Sequence, residues 1–201
     1  MTFPPTIAIA SRNVHKLEEI ERICRDWAVE WLTFRGGNDP AWPDVEETAD
    51  TYLENALMKA RAVARASGLP ALSDDSGIEV DALGGGPGPR SARYAGEREG
   101  DERNLRQLMR AVAGIPSSGR TARYRCVAAL AFPDGRETHA EGVCEGTLTS
   151  KARGTGGFGY DPIFVPAGWD RTMAELTPKE KDRISHRGRA FRALRDELTG
   201  D

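Results

Sequence analysis

Residues 6–28 read TIAIASRNVHKLEEIERICRDWA. Thr6–Ala10 is a short apolar run that leans toward a strand. Beyond it, Leu17, Ile20, Ile23, Cys24 and Trp27 recur at helical spacing. Strand, polar loop and helix therefore open the chain. Val29–Phe34 alternates as a second strand, and residues 36–43 read as a loop. Asp50 or Thr51 is placed to cap the next helix. Its apolar stripe is Leu53, Ala56, Leu57, Ala60, Val63 and Ala64, and Gly68-Leu69-Pro70 ends it. Residues 70–77, PALSDDSG, predict a short strand running out into an acidic turn, with a second strand over residues 78–83. Residues 84–98 read as loop, and Asp101 is placed to cap a helix through Met109 and Val112. Residues 123–132 and 138–149 are extended runs joined by PDGRE, a hairpin signal. Lys151–Asp161 is Gly-rich, and a short strand follows it. Thr177-Pro178-Lys179-Glu180 fits a capping box with Pro at the first helical position. Ser185 is placed to start the last helix. Strands alternating with helices, plus one antiparallel hairpin, predict an α/β protein with a mixed sheet flanked by helices.

The chain has 201 residues and a formal net charge of −3. That length suits one α/β domain or two small lobes and is enough to bury a real core; it is taken here as one domain, residues 1–201. The charge argues against a nucleic-acid footprint, though not against a local anion pocket. No apolar run approaches the roughly 20 residues that cross a bilayer. The N-terminal MTFPPTIAIASRN lacks the layout of a secretory signal. Cys24, Cys126 and Cys144 form no CxxC pair, which fits reduced thiols and a cytoplasmic location better than a disulfide frame or a zinc site.

Five segments carry chemistry. Ser11-Arg12-Asn13-Val14-His15-Lys16 lies between a strand and a helix, where backbone N–H groups and the dipole attract phosphate. No P-loop pattern occurs. Asp74 and Asp75 are adjacent carboxylates that repel one another unless a cation or proton intervenes, and Mg2+ takes carboxylate oxygens together with phosphates. On an extended chain they point to opposite faces, so one can face a site while the other braces it. Glu46 and Glu47 precede the helix that carries Asn55 and Lys59, four residues apart. GTGGFGYDP, residues 154–162, offers Phe158 as a stacking ring among glycines. Lys181, His186 and Arg187 supply donors for phosphate or an oxygen-bearing base edge. Singly, each segment also reads as a helix cap, an Asx turn, a solvated acidic loop, a loop with a buried aromatic or a basic face. Jointly they meet the needs of a nucleoside triphosphate site. Three of the five lysines (16, 59 and 181) fall within them, in a chain that otherwise prefers Arg.

SRNVHKLEEI, EETADTYLENALMKA, SDDSGIEVDALGGGPGPRSARYAG, GTGGFGYDPIF and AELTPKEKDRISHRGRA together resemble the inosine triphosphate pyrophosphatase family, also called the Ham1-like family. The resemblance spans nearly the whole chain, in order. It implies hydrolysis of ITP, dITP or XTP to the monophosphate and pyrophosphate, cleansing the nucleotide pool of deaminated purines. It also implies an elongated two-lobed α/β fold with a cleft, a Mg2+ requirement and a homodimer. Carried over, Ser11–Lys16 would grip the triphosphate. Glu47 and Asp75 would serve the metal, with Asp75 as proton acceptor and Asp74 assisting. Ser76 would contact substrate and Lys59 phosphate. Phe158, Gly159, Tyr160, Asp161, Lys181, His186 and Arg187 would surround base and sugar, with His186 and Arg187 as candidates for reading a 6-keto group. Members often have Thr-Gly-Asn where this chain has Ser11-Arg12-Asn13, and a Tyr where it has Arg90. A pyrophosphatase of other modified or pyrimidine nucleotides and a nucleotide-binding protein without turnover are the competing readings. A DNA-binding module is the weakest.

Overall fold

The computed structural model describes residues 4–34, 36, 37, 39, 41–96 and 99–200. Positions 38 and 40 of the loop expected over 36–43, and 97 and 98 of the one over 84–98, lie outside the described residues.

In chain order the elements are β1 (Thr6–Ile9), α1 (Val14–Ile23), β2 (Glu30–Thr33), α2 (Tyr52–Ser67), β3 (Ala71–Val80), α3 (Asp101–Ala111), β4 (Thr121–Ala131), β5 (Glu137–Leu148), β6 (Phe164–Pro166), α4 (Pro178–Ile184) and α5 (His186–Thr199). The six strands form one sheet in the order β2-β1-β3-β4-β5-β6. β1 runs parallel to β2, with Ile7 opposite Trp31, and parallel to β3, with Ala8 opposite Ala71. β5 and β6 are antiparallel, so the sheet is mixed as expected. The PDGRE turn closes with Phe132 N–H donating to Arg136 O at 2.9 Å.

The chain forms two compact units. One comprises Met1–Asp75, Cys126–Gly142 and Arg187–Asp201, the other Ser76–Arg125 and Val143–His186. In the first, the alternation of β1 sorts its side chains. Ile7 and Ile9 pack with Leu17 and Ile20 of α1 and with Phe191, Leu194 and Leu198 of α5. Ala8 and Ala10 pack with Trp42 and with Ala60, Val63 and Ala64 of α2. Helices thus cover both faces of the strands. The second unit has its own core, built around Ile78, Val80, Leu108, Val112, Tyr124, Phe164 and Met173.

Local chemistry explains the boundaries. Thr51 caps α2 by accepting from Glu54 N–H, and Gly68 ends it at φ 71°, a left-handed turn that glycine adopts without a Cβ penalty. Thr177 and Glu180 form the expected capping box on α4. Three boundaries differ from expectation. α1 stops at Cys24, whose N–H bonds Ile20 O. Trp27, which keeps the helical spacing in sequence, instead lies in a turn and packs a tilted ring against Trp31 at 5.6 Å. α3 is capped by Gly100 at φ 80°, and Asp101 is its first residue. The largest difference is β3, where one strand replaces the expected strand, acidic turn and strand.

Candidate active site

Each unit holds a cluster of the residues singled out above. In the first unit β3 carries Asp74 and Asp75 in mid-strand, on opposite faces. Both stay in the strand because each is met by partners on its own side. Asp74 faces α1 and α5. Its Oδ2 accepts from Arg187 Nη2 at 2.9 Å and Nε at 3.2 Å, and lies 3.3 Å from Lys16 Nζ. Arg187 also pairs with Glu19 of α1, and both are buried. The thiol of Cys126 adds a weak contact to Asp74 Oδ2 at 3.8 Å. Burial alone would push the Asp74 carboxyl up, but Arg187, Lys16 and Lys59 reverse that and hold it far below the usual carboxylate range.

Asp75 faces α2. Asn55 Nδ2 donates to its Oδ2 at 3.1 Å. Lys59, one turn further along α2, places Nζ 2.6 Å from Glu47 Oε1, 2.8 Å from the Asp74 carbonyl oxygen and 3.9 Å from Asp75 Oδ1. Asn55 also donates to Ala49 O and accepts from Ala49 N–H, which fastens the segment carrying Glu47 to α2. Burial raises the Asp75 carboxyl above its usual value, and the Glu47 charge adds to this against the pull of Lys59 and Lys16. Burial also raises Glu47, but Lys59 and Lys16 outweigh it and leave that carboxyl below its usual value. The two carboxylates of one cluster are therefore pushed in opposite directions.

No group of three or more His, Cys, Asp or Glu side chains suited to hold a metal occurs among the described residues. Glu47 and Asp75 nevertheless converge on one cationic atom, Lys59 Nζ. A hard cation that takes one or two carboxylates and completes its shell with water and phosphate fits such a donor pair.

The Ser11–Lys16 segment makes the turn into α1. Asn13 caps the helix by accepting from Lys16 N–H at 3.2 Å, and Ser11 Oγ accepts from Asn13 N–H at 3.2 Å. Val14 and His15 are exposed in the first turn. Arg12 turns the other way. Its guanidinium lies over the Phe34 ring at 4.8 Å, donates to Trp42 O and sits 3.9 Å from Asp44 Oδ1.

In the second unit the Gly-rich loop folds around Asp161. Its carboxylate accepts from Phe158 N–H at 2.9 Å and from Tyr124 Oη at 3.2 Å, and pairs with Lys181. Lys181 Nζ lies 4.9 Å from the centroid of the Phe158 ring, a cation–π contact. His186 stacks on Tyr124 with centroids 4.5 Å apart and planes 7° from parallel. Gly157 makes the loop possible. Its φ is 68°, and a Cβ there would lie 2.0 Å from Asp161 Oδ2. Tyr160 Oη donates to Ser91 O at 2.7 Å and thereby anchors the loop. Gly159 N–H donates to Asp101 at 3.0 Å.

Residues 7–197 match the model of the Ham1 family. The chain belongs to the Ham1 family. A dITP/XTP pyrophosphatase of Streptomyces coelicolor is 50% identical over 188 residues, covering 94% of each chain. The structure of a HAM1 protein from Coxiella burnetii superposes with a TM-score of 0.86 at 40% identity, covering 98% of this chain and all of that one. A crystal structure of a nucleoside-triphosphatase, or dITP/XTP pyrophosphatase, from Mycobacterium abscessus gives 0.74 at 43% identity, covering 94% of this chain and 98% of the other.

In this Ham1-family chain the structure brings together Lys16, Glu47, Lys59, Asp74 and Asp75 in one unit. It brings together Phe158, Asp161, Lys181 and His186 in the other. Ser76 follows Asp75 on β3 and is half-buried. Arg187 is buried, its side chain 1% exposed, and pairs with Asp74 and Glu19. Glu19, Cys126 and Tyr124 escape sequence reasoning. Glu19 stands second in a Glu-Glu pair on an amphipathic helix, and its position with Leu17 and Ile20 among the inward residues was the one available signal. Nothing local marks the other two.

Proposed function

We propose that this protein is a Mg2+-dependent hydrolase converting ITP, dITP and XTP to the nucleoside monophosphate and pyrophosphate. The observation that carries the reading is the convergence of the Glu47 and Asp75 carboxylates on one cationic atom, Lys59 Nζ. Glu47 and Asp75 hold the ion. When bound, Mg2+ supplies charge neutralisation for a polyphosphate and an anchor for its oxygens. Asp75 takes the proton of the attacking water. Asn55, bonded to Asp75 Oδ2, orients that carboxylate. Lys59 and Lys16 offset the charge that grows on the departing pyrophosphate, and the α1 turn with Ser11, Asn13, Val14 and His15 binds phosphate oxygens. Asp74 is the inward brace, kept ionised by Arg187. Ser76 contacts substrate.

Phe158 provides the face on which a purine stacks, framed by Gly159, Tyr160 and Asp161. Lys181 and His186 supply donors for a 6-keto edge. A 6-amino purine would set donors against donors in a water-poor place, a mismatch that costs far more than a missing methylene. The reading takes residues 1–201 as one functional domain, working as a homodimer in the cytoplasm on free nucleotides. No helix of the structure is long and apolar enough to cross a membrane, among the described residues.

The test is monophosphate and pyrophosphate production from dITP, XTP, ATP, GTP and pyrimidine triphosphates, with Mg2+ and with EDTA. The reading expects dITP and XTP to be turned over at least 100-fold faster than ATP, and all turnover to stop in EDTA. Asp75→Asn should lose a factor of about 10²–10³, the scale of removing one charge-stabilising group. Equal rates on ATP and dITP would overturn the substrate assignment, and binding without turnover would overturn the enzyme.

A further inference from the structure

We propose that Arg12 is a positioning residue: it latches the segment bearing Glu47 to the end of β1, and so sets metal affinity without touching phosphate. The proposal rests on the cation role given above to Glu47. Arg12 lies between Ser11 and Asn13, where a phosphate contact is the obvious expectation. Its guanidinium points elsewhere. The plane lies over Phe34 at 4.8 Å, one nitrogen donates to Trp42 O, and another lies 3.9 Å from Asp44 Oδ1.

Trp42 itself is buried, and its indole Nε1 donates to Ile9 O, the last residue of β1, at 2.7 Å. Residues 43–49 contain no helix or strand, and their side chains alternate between half-buried and exposed. Such a stretch has few contacts of its own to hold it. It is fastened on either side of Glu47. At the rear, Ala49 exchanges two hydrogen bonds with the Asn55 side chain, at 3.0 and 3.1 Å. At the front stand Trp42 and Arg12. Glu47 lies between the two fastenings, two residues from one and five from the other.

Arginine suits the front position because one planar group can stack on a ring while donating to a carbonyl and facing a carboxylate. Lysine offers a point charge and no plane. Releasing the front removes one of the fastenings of the segment that carries Glu47. The carboxylate then spends more time away from Asp75, and a cation needing both loses affinity. Outer partners that aim a metal ligand commonly change affinity by about 10–100-fold.

The experiment uses the full chain without nucleotide. Hydrogen exchange is followed by mass spectrometry in peptides covering residues 41–49, and Mn2+ binding is titrated by electron paramagnetic resonance. Arg12→Ala is expected to speed exchange in that segment at least tenfold while the α2 and β3 peptides keep their wild-type rates. It is expected to weaken Mn2+ binding by about tenfold, with Arg12→Lys recovering little of either. In the Glu47→Gln background Arg12→Ala should weaken Mn2+ no further, because Arg12 acts through Glu47. Unchanged exchange, an unchanged Mn2+ affinity, or an undiminished Arg12→Ala effect in Glu47→Gln overturns the proposal. So does wild-type protein that binds no Mn2+. A raised KM for nucleotide with both readouts unchanged would make Arg12 a phosphate contact instead. Neither readout needs turnover, so a failure to hydrolyse dITP would count against the activity and leave the latch to be decided separately.

Discussion

Arg187 joins two buried carboxylates of the first unit, Asp74 of β3 and Glu19 of α1. All three side chains are nearly inaccessible, so removing the guanidinium leaves two buried charges facing each other. Breaking a buried pair from one side costs about 3–5 kcal/mol. Arg187→Met should therefore lower the urea-unfolding free energy by about that amount. Arg187→Lys should recover less than half, since an ammonium cannot reach both carboxylates in a fixed fork. A loss under about 1 kcal/mol for the Met variant would show that the brace is not structural. At this scale the sequence is legible in residue type and silent on direction. The two aspartates and the lysines are identifiable from charge and spacing, whereas only the family resemblance separates Glu47 from Glu46. That Arg12 points to Trp42 and Arg187 to Glu19 depends on a backbone carbonyl 30 residues away and a side chain 168 residues away in the chain.

Among elements, α4 shows how little is needed to start a helix correctly. Thr177 accepts from Glu180 N–H, and the Glu180 carboxylate accepts from Thr177 N–H and pairs with Arg171. The Arg171 bond, followed by the Thr177 bonds, holds Glu180 down to about 2 from its ordinary 4.5. A depressed carboxyl stabilises the fold above its unfolded value and loses that contribution as pH falls through its folded value. Thermal unfolding of wild type and Glu180→Gln should thus differ at pH 7, with the wild type more stable. The gap should close as pH is lowered from about 4.5 toward 2. A gap that is constant with pH would place the effect outside the carboxylate. Such caps, the Gly68 stop and the hairpin turn are legible because they are local chemistry. β3 is not. Ser73-Asp74-Asp75-Ser76-Gly77 reads locally as a turn, and it remains a strand because α1, α2 and α5 bring the counter-charges.

At the scale of the molecule the alternation of strands and helices suffices to read a mixed sheet, while the division into two units follows from packing. Ile20 and Ile78 are fully buried in separate clusters. Ile20→Val and Ile78→Val should each cost about 0.5–1.5 kcal/mol, and their effects should add within about 0.5 kcal/mol because they share no partners. Coupling above about 1 kcal/mol in urea denaturation would mean that the cores are not independent. The activity assigned to the whole chain makes a sharper demand, since the nucleophile must be water and its target the α-phosphorus. Hydrolysis of dITP in ¹⁸O-labelled water, read by mass spectrometry, tests this directly. The account predicts one ¹⁸O in dIMP, unlabelled pyrophosphate as the other product, and neither product in the presence of EDTA. Label in pyrophosphate, release of inorganic phosphate, or intact dITP would contradict it.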